Sequence, residues 1–162
     1  MSGKTQLPQV STIEELLSDI FGEEIEVKAV EGKSRVTNDV TATFVDADGE
    51  LVGACLLNLT LAACLGAALV RIPVEAATEA ATAKKLSGML RDAMYEVLNI
   101  AAQLFRTAGV RHRVVLGEVY IPGQPVPDNV AALLKKPASD IKVEVAIPRY
   151  TKGVLTFVAL GG

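Results

Sequence analysis

"LVGACLLNLTLAACLGAALV", Leu51 to Val70, runs for 20 residues without a charge, and its reading decides the fold. A helix of that length and character can cross the hydrocarbon core of a bilayer. Asn58 and Thr60 near its middle, and the turn-forming "DADGE" just before it, argue against a span. The stretch is therefore read as two buried strands of a water-soluble domain. Leu and Ala dominate it, however, and local propensity alone would favour a helix.

Towards the N-terminus, Asp48-Gly49 can turn "RVTNDVTATFVD" back into "LVGACLLN", and "EIEVKAV" alternates well enough for an earlier strand. Before these, "STIEELLSDIFG" carries helix signals. Ser11 and Thr12 are candidate caps, Glu14 and Glu15 fall in the first turn, and Gly22 is the stop. Towards the C-terminus, Pro73 and Gly109 bracket "VEAATEAATAKKLSGMLRDAMYEVLNIAAQLFRTAG", which predicts one long helix, or two meeting near Ser87-Gly88. Leu86, Leu90, Ala93, Val97, Ala101 and Leu104 recur at steps of three and four and define its buried face. "HRVVLGEVYI" reads as a strand, "PGQPVPDNVAALLKK" as a loop with a short helix capped by Asp128, and "IKVEVAIP" and "GVLTFVAL" as a closing pair of strands. Helix, strands, helix, strands is the order of an α+β domain: a mainly antiparallel β-sheet with long α-helices packed on one face.

The 162 residues suit one domain, with residues 1–10 expected as a flexible N-terminus and residues 11–162 as a single domain. Half of the chain is hydrophobic and 22% is charged, which excludes a disordered chain on composition. A net charge of -3 with scattered basic residues lacks the positive footprint that nucleic-acid binding needs. Cys55 and Cys64 are the only cysteines, and "MSGKTQLPQV" has no apolar core of a secretion signal, so a cytoplasmic protein with buried, reduced thiols is expected.

Several motif fragments carry no chemistry. "SGKT" at residues 2–5 has no strand before it, and "DADGE" has its glycine too early for a calcium loop. His112 stands alone between Arg111 and Arg113, without a placed Cys or acid to make it a catalyst.

Opposite the apolar face of the long helical run lie Asp92, Glu96, Asn99 and Gln103. Spacing alone makes these the solvated side of a helix. Pro122, separated from Asn99 by twenty-two residues, completes the pattern Asp-x3-Glu-x2-Asn-x22-Pro. That pattern resembles the active-site motif of the CheC, CheX and FliY family of chemotaxis phosphatases, which allows Asp or Ser first, then Glu, Asn and the distant Pro. The block order over roughly residues 10 to 160 is similar to the family as well. Ser11, Glu15 and Ser18 repeat the spacing on the first helix, but Ser18 replaces Asn, and Thr41 stands where Pro would be. A single intact motif is closer to CheX-like members.

The resemblance implies a CheX-like domain, usually a homodimer, acting as a hydrolase in two-component chemotaxis signalling. Its substrate would be the aspartyl phosphate of a CheY-like response regulator. Asn99 would position the attacking water, Glu96 would pair with the regulator's active-site Lys, and Asp92 and Pro122 would support them. No cofactor of its own is implied, and Mg2+ would be carried by the response regulator. Neither nucleic acid nor membrane is an expected partner. Gln103 departs from the family, where Gly is frequent, and leaves open a non-catalytic adaptor that binds a regulator or a motility complex. A plain structural domain with an accidental motif is the third reading.

Overall fold

The computed structural model describes residues 7–31, 40–86, 88–105, 113–121 and 124–160. In chain order it contains α1 (Val10–Phe21), β1 (Glu26–Ala29), β2 (Val40–Val45), β3 (Leu51–Leu57), α2 (Leu59–Leu69), α3 (Val74–Thr82) and α4 (Gly88–Ala101). A 3-10 turn over Ala102–Leu104 follows, and then β4 (Val115–Tyr120), α5 (Asp128–Lys135), β5 (Ser139–Ala146) and β6 (Gly153–Ala159). This is the α+β domain expected from the order of blocks.

All six strands form one antiparallel sheet in the order β1-β5-β6-β3-β2-β4. Exchanging the first three strands with the last three and reading from the other edge returns the same order. The two halves, α1 with β1 to β3 and α4 with β4 to β6, are therefore related by a pseudo-two-fold arrangement. α1 and α4 are counterparts.

One turn of the expected scheme is corrected. Only the first half of Leu51 to Val70 is a strand, and the second half is α2, a helix. Asn58 separates them, and its Oδ1 accepts a hydrogen bond from the Val154 N–H at 3.0 Å, tying the junction to the start of β6. Beyond it, Ala and Leu follow their helix preference because packing does not oppose it. α2 is buried on every side from Leu61 to Ala67, so it has no polar face to display a helical period. Among the described residues no helix is long and apolar enough to cross a membrane.

α1 also begins earlier than its cap signals suggest. Gln9 is at the N-cap without a side-chain bond, so Ser11 and Thr12 lie inside the helix, and the first turn holds no acid. Leu7 and Val10 already pack on the core. Glu14 instead accepts the Val27 N–H at 3.1 Å, and Ser18 Oγ accepts the Ile25 N–H at 3.0 Å, fixing β1 against the helix. Gly22 closes α1 at φ +66°, as its place in the sequence suggests. The "DADGE" turn is a hairpin turn between β2 and β3: Asp46 Oδ1 accepts the N–H groups of Asp48 and Glu50, and Gly49 adopts φ +79°. The "PGQPVPDNVAALLKK" helix is α5, with Pro127 at its N-cap and Asp128 as its first residue.

The main core lies between the sheet and the layer of α1, α2 and α4. α3 packs against α2. α5 covers the other face of the sheet, where Leu133 meets Ala54 and Val158.

Candidate functional site

α4 forms because its apolar residues recur on one side. Ala93, Met94, Val97, Leu98 and Ala101 are buried. Two contacts hold it in place. Near its start, Gly66 of α2 lets the backbones meet, since a Cβ there would lie 2.4 Å from the Leu90 carbonyl oxygen. At its end, Phe105 enters the core and stacks on Phe44 at 4.7 Å between ring centroids, with Phe157 edge-on at 5.5 Å. Gly53 in β3 leaves the space for that ring. The Phe105 anchor is not visible in the helical period because it lies one residue past the 3-10 turn.

The other side of α4 presents Asp92, Glu96 and Asn99, all exposed as the sequence reading requires, and Gln103 is exposed in the 3-10 turn that follows. Asp92 and Glu96 are like charges four residues apart, an arrangement that a helix selected only for stability would avoid. Among the described residues no side-chain hydrogen bond or ion pair engages Glu96 or Asn99. Arg91 lies beside Asp92, its Nη2 3.4 Å from the Tyr95 hydroxyl and its guanidinium 5.4 Å from the Tyr95 ring centroid. The tyrosine contact, and the charge of Asp92 after it, hold the Arg91 pKa above its ordinary value. Pro122, the fourth motif residue, lies outside the described residues, as do His112, Arg111 and residues 2–5.

The counterpart stripe on α1 is put to structural use. Ser11 and Glu15 are exposed, but Ser18, at the position matching Asn99, spends its hydroxyl on the Ile25 N–H. Only α4 keeps an uncommitted amide there. Both cysteines are buried, and burial pushes the Cys55 thiol well above its ordinary pKa and raises that of Cys64. Among the described residues no three His, Cys, Asp or Glu side chains come together to hold a metal ion.

No protein-family model and no curated protein matches the chain in sequence. Solved structures do match. A chain of the FliM–SpeE complex from H. pylori superposes with a TM-score of 0.61 at 9% identity, over 93% of this chain and 81% of that one. FliY from Thermotoga maritima gives 0.59 at 16% identity, over 90% and 81%. The fold is that of the CheC/CheX/FliY family. A chain of the CheX–CheY–BeF3–Mg2+ complex from Borrelia burgdorferi aligns with a TM-score of 0.49 at 13% identity, over 90% and 91%.

Proposed function

We propose that the protein is an aspartyl-phosphate phosphatase for a CheY-like response regulator, with Asn99 and Glu96 as the residues that act. The observation that supports it is the stripe: an amide and two carboxylates exposed at motif spacing on α4, with Glu96 and Asn99 unengaged among the described residues. An acyl phosphate is already activated for transfer, so the catalyst has to place water in line and tolerate the charge on the phosphoryl oxygens. An amide suits that task. Its oxygen accepts from the water and its NH2 donates, while it adds no negative charge to repel the phosphoryl group. The water oxygen bonds to phosphorus as the bond from phosphorus to the aspartyl oxygen breaks. The regulator's carboxylate leaves, and the water proton passes to the phosphate product or to solvent.

Glu96, one turn before Asn99, pairs with the regulator's active-site lysine and fixes the approach. Asp92 supports that contact, and Pro122 enters only as the fourth residue of the motif. Mg2+ belongs to the regulator. The family resemblance also brings a homodimer and a cytoplasmic setting into the proposal. The adaptor reading differs only in lacking turnover.

The test is phosphate release from receiver domains phosphorylated with acetyl phosphate, measured with the wild-type protein and with Asn99→Ala. The wild type accelerates release, and Asn99→Ala lowers kcat by roughly 10²-fold or more, as loss of a positioning group does. Asn99→Ala working at the wild-type rate removes the mechanism. Binding without acceleration by the wild type leaves the adaptor.

A further inference from the structure

A cavity of about 580 Å³ lies where three segments meet: the end of α1 at Phe21 to Glu23, the α2–α3 junction from Arg71 to Glu75, and the β5–β6 turn at Arg149 and Tyr150. No residue of the α4 stripe lines it. Its volume is that of a small-molecule site. Of the three non-glycine residues at positive φ among the described ones, two line this cavity, Arg71 at +59° and Arg149 at +73°. Arg71 directly follows the C-cap of α2, and Arg149 follows Pro148 in a turn closed by the Tyr150 N–H on the Ile147 carbonyl at 3.0 Å. Glycine fits both places without strain, and arginine does not. The chain therefore accepts backbone strain twice at one cavity, each time with a guanidinium as the side chain.

The rim is fixed from within. Tyr150 donates its hydroxyl to the Ile72 carbonyl at 2.6 Å, tying the turn to the junction, and the Ile72 N–H bonds to the Ala67 carbonyl at 2.8 Å. Arg149 spends one nitrogen, Nη2, on both carboxylate oxygens of Glu23, each at 2.9 Å. Its Nη1 and Nε, and the whole Arg71 guanidinium, make no hydrogen bond among the described residues. Glu23 is neutralised by Arg149, and Glu75 lies in the first turn of α3, where the positive end of the helix offsets its charge. Arg71 is the cation left over. Beside it, Phe21, Ile72, Pro73 and Val74 supply apolar wall. We infer that this cavity binds a small organic anion, its phosphate or carboxylate held by Arg71 together with Arg149 and its body resting on the apolar wall. A guanidinium meets either anionic group with two parallel N–H bonds. The site is separate from the proposed phosphatase residues and does not depend on them.

Three probes with the same ring separate the chemistries: phenyl phosphate, benzoate and neutral benzamide, each titrated into the full chain to millimolar concentration and followed by amide NMR. The expected result is saturable movement of the amides of Gly22, Arg71, Ile72, Val74 and Tyr150 with phenyl phosphate, benzoate or both, and none with benzamide. Whichever anion binds more tightly names the source of the charge. Arg71→Gly keeps the backbone conformation without strain, so it should fold as the wild type does and bind the anion roughly tenfold more weakly, as loss of a charged hydrogen-bond partner predicts. Arg149→Gln loses only an exposed ion pair with Glu23 and gives a second reading in the same direction. Weaker binding in either variant supports the site. Three results overturn it: neither anion moves these amides, benzamide binds as tightly as the anions, or both variants bind with wild-type affinity.

Discussion

In the proposed phosphatase, Glu96 is the residue at which stability and function pull apart. It sits four residues after Asp92, exposed and without a partner among the described residues, so it adds repulsion to α4 and no compensating contact. Replacing it with Ala relieves that repulsion and raises helix propensity, and the melting temperature should hold or rise slightly. Regulator binding should suffer instead, because deleting one partner of a desolvated charge pair leaves the other buried and unpaired, at about 2–5 kcal/mol. Titration of a phosphorylated receiver domain with Glu96→Ala checks this, and wild-type affinity would remove Glu96 from the anchoring role. At this scale much was legible in advance. A helical period places Glu96, Asn99 and Gln103 opposite Val97 and Ala101, and they are exposed and buried accordingly. Phe105 was not legible, because it follows a 3-10 turn and its partners Phe44 and Phe157 come from strands far away in sequence.

Among the elements, α2 decides where α4 can lie. Gly66 faces Leu90, and an added Cβ would sit 2.4 Å from a backbone oxygen, which cannot swing aside as a side-chain tip could. Gly66→Ala must therefore separate the two helices or bend one of them. Overpacking of that kind costs about 1–3 kcal/mol, against the propensity gain that Ala would otherwise bring to a helix. Thermal melting should fall by roughly 2–4 °C per kcal/mol for a chain of this size. An unchanged or higher melting temperature would mean that α2 and α4 do not touch at Gly66. The element that matters here was also the one misread. α2 is apolar all round and, with no polar face, it offers no period to tell a helix from a strand; only length and the Leu/Ala content hinted at it. The hairpin turn at Gly49 and the end of α1 at Gly22 were legible because each needs a backbone conformation that glycine adopts freely.

Over the whole molecule, the pseudo-two-fold sheet encloses one main core, and both thiols lie within it. Cys55 faces the helix layer beside Ile13, Leu17 and Phe157, and burial holds its thiol protonated far above the ordinary value of 9.0. Cys64 is shifted upward as well, by burial first, with a backbone hydrogen bond from Thr151 acting in the opposite direction. The folded pKa lies above the unfolded one, so the unfolded chain releases these protons first. The associated stability is complete below about pH 9 and is lost as pH rises beyond it. One such thiol takes away about 1.4 kcal/mol by pH 10. Cys55→Ala should thus start lower than the wild type at pH 7, by about 1 kcal/mol for the lost core contacts, and then decline less on the way to pH 10. The two proteins converge. Urea unfolding under reducing conditions at pH 7, 9 and 10 measures the convergence, and the tyrosine and lysine contributions common to both proteins cancel in the difference. Parallel loss of stability in the two proteins would show that Cys55 titrates alike in the folded and unfolded chains, and that the core between the sheet and α1, α2 and α4 is open to water at its centre.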